Sequence, residues 1–360
     1  MKLNRQCFLE RLEMVYPAIA VNPVVAHYSY FKISKGKADA IDRLQAFNGV
    51  VLIETQLDEG IENACAIPAE PFLKLLRSLN DKEIELIFKK DEVKVKAKTI
   101  KGTFTILDEV PVKDMPISKA PIDDEVILKD LIEGFKACAL YVNKDKTAGP
   151  SRGVRVDKGI VAGTDSFRVV VYRLDTPLSF TCSIPLKFIN AVLKNQSEVK
   201  TIDYVEDMCI TATLNDGTQI GSSVLLGEYP PILDYFPASN DCIKVEFIDE
   251  EMLLAMERHV TFLSRIDLIN KEINVHILND KCITQSKDEL VGELIDEANV
   301  ASDDPEVDIS FPINPIYLKN IVGTCSCFKY FPEHGLVLLE ADKLSMPDKI
   351  RYLTQILRPE

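Results

Sequence analysis

One pattern recurs three times along the chain, and it constrains the fold more than any single motif. An apolar residue, a proline, a short spacer and an aromatic-apolar pair appear as Ile67-Pro68 with Phe72-Leu73, Ile184-Pro185 with Phe188-Ile189, and Phe311-Pro312 with Tyr317-Leu318. Each set leads into a helix-like stretch, with the proline near the first turn, where its missing N–H costs nothing. Upstream of each lies a second amphipathic stretch, over residues 7–20, 128–142 and 250–264. Their apolar positions follow the i, i+3, i+4, i+7 spacing of a helix with one buried face. Leu12, Phe135 and Met256 occupy equivalent places, about 120 residues apart. A chain of 360 residues is therefore three copies of a unit containing two helices.

Between the helices the apolar period drops to two. Glu83–Phe88 and Glu92–Ala97 alternate around Lys89-Lys90-Asp91, and Thr103–Leu107 follows as a further strand. Cys209–Leu214 and Thr218–Gly221 flank Asn215-Asp216-Gly217, a strong hairpin signal. Ile273–Ile277 and Lys281–Thr284 surround Asn279-Asp280 in the same way. The fold class is α+β, with antiparallel strands outnumbering two helices in each of three tandem domains, 1–120, 121–240 and 241–360. The boundaries fall in two proline-rich stretches, Pro111–Asp124 and Pro230–Asp241. The acidic stretch Asp288–Asp308 reads as a solvated, mobile loop that interrupts the third domain.

Catalytic constellations are missing from the sequence. His27, His259, His276 and His334 are isolated, without the spacing a metal site needs. Cys325 and Cys327 lack a second cysteine pair, so no zinc site, other metal or cofactor is expected. No phosphate-binding glycine loop, dinucleotide fingerprint or nucleophile elbow occurs. Nine cysteines scattered through apolar segments suit reduced thiols in a cytoplasmic protein better than a disulfide framework. No apolar run is long enough to cross a bilayer, and charges interrupt the N-terminal segment where a signal peptide would need an apolar core. A scaffold is expected, not an enzyme, with neither membrane nor small-molecule substrate as partner. The net charge of −14 argues against nucleic acid only if it is evenly spread. It is not: residues 2–20, 68–80, 128–146, 185–200, 249–265 and 314–329, which hold the six helix-like stretches, are together net positive, and the excess acid lies outside them.

Several segments carry a resemblance. Ala162-Gly163-Thr164-Asp165-Ser166-Phe167-Arg168-Val169 resembles the A-T-D-G-H-R-L segment of the bacterial DNA polymerase III sliding clamp, the beta subunit, with one inserted glycine and substitutions. Leu226-Gly227-Glu228-Tyr229-Pro230 resembles that family's G-x-[FY]-P turn, and Phe236-Pro237 the apolar-Pro pair after it. Tyr352–Arg358 sits where the family ends in Y-V-x-M-P-M-R-L. In order and spacing these matches cover essentially the whole chain, as a divergent member with a viral origin left open. The competing class is a non-DNA interaction scaffold built from the same repeated domains.

The resemblance implies a head-to-tail homodimer, a closed ring with helices lining a pore through which double-stranded DNA passes. It implies a processivity factor in DNA replication that tethers a DNA polymerase and is placed by a clamp loader. The DNA-facing cations would be Lys2, Arg5, Arg11, Lys74, Arg77, Lys136, Lys187, Lys194, Arg258 and Lys319. A partner-peptide pocket between domains 2 and 3 would use Thr164, Phe167, Arg168, Val169, Pro230, Leu353, Gln355, Ile356 and Leu357. Asp165 and Arg168 admit a plainer role as a turn-stabilising ion pair. Gln355 and Ile356 stand where the family has Met and Pro, and Asp234 where some relatives are basic, so an altered peptide preference is expected. The dimer contact would join Phe104 and Ile106 to Phe262 and Leu263 of the other chain, unless these are core residues.

Overall fold

The structure, a computed structural model, describes all residues except 36–41, 58–63, 99, 108–120, 144–148, 238–240, 249, 268–269, 323–326, 341–348 and 356–360. Its elements repeat one order, a strand, a helix and three strands. The first run is β1 (Lys2–Asn4), α1 (Arg5–Val15), β2 (Tyr30–Ser34), β3 (Arg43–Phe47) and β4 (Val51–Gln56). The second is β5 (Cys65–Pro68), α2 (Ala69–Ser78), β6 (Glu83–Phe88), β7 (Glu92–Lys96) and β8 (Lys101–Thr105). The third begins directly at α3 (Glu125–Cys138), then β9 (Gly153–Asp157), β10 (Ile160–Thr164) and β11 (Arg168–Arg173). The fourth is β12 (Thr181–Pro185), α4 (Leu186–Lys194), β13 (Val199–Val205), β14 (Cys209–Leu214) and β15 (Gln219–Ser223). The fifth is β16 (Ile243–Phe247), α5 (Glu251–Phe262), β17 (Ile273–Leu278), β18 (Lys281–Asp288) and β19 (Gly292–Ser302). The last is β20 (Asp308–Ile313), α6 (Pro315–Val322), β21 (Cys327–Phe331), β22 (Leu336–Glu340) and β23 (Ile350–Gln355).

The helices form where the sequence supplies both a cap and an apolar face. Asn4 caps α1 by accepting from the N–H groups of Gln6 (3.0 Å) and Cys7 (3.2 Å). Asp124 does the same for α3 through Val126 (2.9 Å) and Ile127 (3.1 Å). Leu12, Phe135 and Met256 are all fully buried, as their equivalence requires. The third proline departs from the expected pattern. Pro68 and Pro185 stand at the caps of α2 and α4, whereas Pro312 lies inside β20, and Pro315 starts α6 behind the capping Asn314.

The chain packs as two compact units, and the central third is divided between them. The first comprises residues 1–132 and 182–226, the second residues 133–181 and 227–360. In the first unit a four-stranded sheet runs β1-β6-β7-β8, and a seven-stranded sheet runs β13-β14-β15-β4-β3-β2-β5. The leading strands of the first two repeats have thus changed places, β1 joining β6 and β5 joining β2. That exchange interlocks two repeats around one core, in which Phe8, Phe72 and Phe104 meet edge to face. In the third repeat a single bridge, Ile122 to Ile202, stands where a leading strand would be.

In the second unit the strands run β9-β10-β11-β23-β22-β21-β16-β19-β18-β17-β20. The expected acidic loop is here a strand. Gly292–Asn299 of β19 pair along β18, and Val300–Ser302 pair with β16. Its carboxylates are held by cations from neighbouring elements: Glu293 by Lys287, Asp296 by Arg258 and Glu297 by Lys281. Pairing along β18 and β16, with these carboxylates set beside neighbouring cations, therefore holds in a sheet a segment whose composition reads as solvated coil.

Candidate functional site

The β10–β11 hairpin builds the most elaborate local structure in the second unit. Thr164 Oγ1 donates to the Arg168 carbonyl (2.8 Å) and receives the Ser166 N–H (3.2 Å). Asp165 Oδ1 accepts from the N–H groups of Phe167 (3.1 Å) and Arg168 (2.9 Å), while Oδ2 accepts from Arg168 Nε (2.9 Å) and Nη2 (2.6 Å). The turn-stabilising ion pair is thus real, and it coexists with a position in the site. The guanidinium also lies over the rings of Tyr317 (4.3 Å) and Tyr141 (4.9 Å). Burial opposes its charge most strongly, but Tyr352 and Asp165 outweigh that and hold its pKa above the ordinary value. Gly163 is required by close approach, because a Cβ there would stand 2.7 Å from the Cys138 carbonyl oxygen. The inserted glycine of the motif therefore lets β10 pass beneath the end of α3.

Beside this hairpin opens a cavity of about 330 Å³ lined by Thr164, Ser166, Phe167, Arg168, Val169, Pro230, Tyr235, Leu336 and Leu353. Its apolar floor is continuous with the core formed by Ala162, Val171, Ile232, Phe331 and Leu338. Phe167 and Tyr235 stand at the surface, 49% and 46% exposed. The structure brings together six of the residues named from sequence: Thr164, Phe167, Arg168, Val169, Pro230 and Leu353. Gln355 ends β23, and its side chain, with Ile356 and Leu357, lies outside the described residues. Ser166, Tyr235 and Leu336 were not foreseen. Tyr235 sits in a short 3-10 turn after Pro230-Pro231, where the sequence had singled out Pro230 but not the tyrosine.

The cations named from sequence are mostly occupied. Arg5 donates to the carbonyls of Asp81 (2.8 Å) and Leu76 (3.2 Å), closing the end of α2. Arg11 pairs with Asp216 (2.6 Å), Lys74 with Glu70 (2.6 Å) and Arg77 with Glu13 (2.9 Å). Lys136 lies 3.8 Å from Glu133, Lys319 is 3.3 Å from Glu257, and Arg258 Nη2 donates to Asp296 (2.8 Å). Lys2 is not on a helix: it lies on β1, opposite Glu85. Lys187 and Lys194 are on α4, away from any carboxylate partner among the described residues.

Of the residues named for self-association, Ile106 and Leu263 are buried within the chain, 6% and 0% exposed, which removes them from any surface patch. Phe104 and Phe262 are half-buried. Among the described residues no three His, Cys, Asp or Glu side chains gather as metal ligands. No helix there is long and apolar enough to cross a membrane.

Repeated strand-helix-strand units with exchanged leading strands define the DNA sliding-clamp fold, and solved clamps superpose on this chain end to end. The DNA polymerase III subunit beta of Bartonella birtlesii, solved with griselimycin bound, matches with a TM-score of 0.85 at 16% identity, covering 100% of this chain and 99% of its own. The subunit from Pseudomonas aeruginosa matches at 0.83 and 15% identity, covering 100% and 99%, and that from Streptococcus pyogenes at 0.82 and 17%, covering 99% of both. No protein-family model and no curated protein sequence matches the chain.

Proposed function

We propose that this protein is a sliding clamp: a non-catalytic ring of two chains that encloses duplex DNA and holds a DNA polymerase on it. The observation that carries the reading is the pairing of each repeat's last strand. β4 of the first repeat pairs with β15 of the fourth, and β11 of the third with β23 of the sixth. The rule joins each odd repeat to the repeat three places on. Two last strands remain, β8 of the second repeat and β19 of the fifth. Among the described residues β8 has a ladder only with β7, and Gly292–Asn299 of β19 only with β18. The same rule applied between two chains pairs β8 of one with β19 of the other, twice, and closes a ring in which every repeat's last strand is paired.

The cavity beside the β10–β11 hairpin supplies the second half of the function. It is apolar at its floor, with aromatic side chains exposed at its rim, which suits a short peptide anchored by an apolar side chain. A polymerase or loader carrying such a peptide would dock there. The three sequence domains, 1–120, 121–240 and 241–360, would supply six domains to the ring.

Retention on circular DNA tests the reading. A loaded clamp stays on a closed circle at moderate salt and leaves once the circle is cut. Equal loss from closed and cut DNA would refute topological linkage.

A further inference from the structure

The six helices do not offer DNA equal charge. In α1, α2, α3, α5 and α6 every Lys and Arg has a carboxylate within 4 Å, except Arg5, which is bound to backbone carbonyls. A carboxylate within 4 Å of a lysine offsets much of the pull that the lysine exerts on a nearby phosphate. Helix α4 differs. It carries Lys187 and Lys194 and no acidic residue, and neither lysine has an ion-pair partner among the described residues. Phe188, Ile189, Ala191 and Val192 are buried, leaving Lys187, Asn190 and Lys194 on the outward face. Positions i, i+3 and i+7 lie on one stripe, with the two ammonium stems about 10 Å apart along the axis.

We propose that this α4 stripe is the principal phosphate-binding surface of the protein, and that the compensated helices contribute little to DNA affinity. The inference rests on the sliding-clamp reading for its ligand, the sugar–phosphate backbone of duplex DNA. It replaces an evenly basic inner wall with one short contact per chain. Lysine suits such a contact, being a single point charge on a flexible stem that follows any phosphate, and Asn190 adds a neutral donor. Two phosphate contacts from one helix give a weak, sequence-independent hold, compatible with movement along the duplex.

The salt dependence of binding to a linear duplex oligonucleotide tests the assignment on the full chain. Each phosphate contact contributes about 0.9 to the slope of log K against log salt. Lys187→Gln/Lys194→Gln should reduce the slope by that amount per contact, and Lys187→Arg/Lys194→Arg should preserve it. Lys74→Gln/Lys319→Gln changes net charge equally but should leave the slope nearly intact. Equal losses in the two glutamine variants would overturn the proposal. Wild-type retention on closed and cut circles is measured alongside. Retention only on closed circles with an α4-independent slope defeats this proposal alone. An α4-dependent slope without topological retention defeats the ring while keeping the surface.

Discussion

At the residue scale, two buried polar groups carry consequences that can be measured. Arg168 is 9% exposed and Asp165 is its only carboxylate partner among the described residues. Asp165→Ala would leave a buried guanidinium without its counter-charge and the hairpin without its two N–H acceptor bonds. A loss of about 3 kcal/mol is expected in urea unfolding, far more than for an exposed pair such as Lys74–Glu70. His259 is fully buried, its ring nitrogens 2.8 Å from Ser286 Oγ and from Thr284 Oγ1. Burial, the largest influence, lowers its pKa below 6.5, against a smaller upward pull from Asp296. The unfolded chain therefore takes up a proton that the folded chain refuses. Stability from this group is complete above about pH 6.5 and is lost as pH falls from there through the folded pKa, by up to about 1.4 kcal/mol per pH unit. Comparing denaturant midpoints at neutral and mildly acidic pH, His259→Asn should show a smaller acid loss than the wild type.

At the scale of elements, what could be read in the sequence depended on whether the cause was local. The helices were legible because their faces and caps are written within a few residues, as with Asn4 ahead of Phe8, Leu9 and Leu12. The hairpin at Asn215-Asp216-Gly217 was legible for the same reason, with Gly217 at φ +83°. β19 was not, since its carboxylates are neutralised by Lys281 and Lys287 on the adjacent strand and by Arg258 on a helix. Most of the cavity wall was found through motif likeness, but Leu336 and Tyr235 reach it through tertiary packing that no spacing encodes. The free edge of β19 was likewise invisible, because an edge is defined by what fails to pair, whereas β8 was reached through motif likeness by way of Phe104. The two edges make a prediction of their own. Ile295 on β19 is 59% exposed, so Ile295→Asp disturbs no core. It should weaken self-association about 30-fold, read by sedimentation, with the monomer's secondary structure unchanged. Phe104→Asp should act in the same direction but also loosen the core, because Phe104 packs 5.3 Å from Phe72.

For the whole molecule, three repeats in sequence do not amount to three independent folding units. The seven-stranded sheet joins β4 of the first third to β15 of the central third, placing Ile53 opposite Ile220 and Leu52 opposite Gly221. Val51, Leu52 and Ile53 are 2%, 6% and 1% exposed in the intact chain. A fragment of residues 1–120 would lose β15 and present β4 as an apolar, unpaired edge, the arrangement that drives strands into aggregates. In light scattering such a fragment should therefore self-associate through β4, whereas residues 1–120 within the full chain stay in register with β15. A soluble, monomeric and cooperatively unfolding fragment would show that the strand pairing is not needed for stability. The same logic runs outward from the domain to the assembly. Each last strand is a liability until another repeat covers it; β4, β15, β11 and β23 are covered inside the chain, and in the proposed ring a second copy would cover β8 and β19.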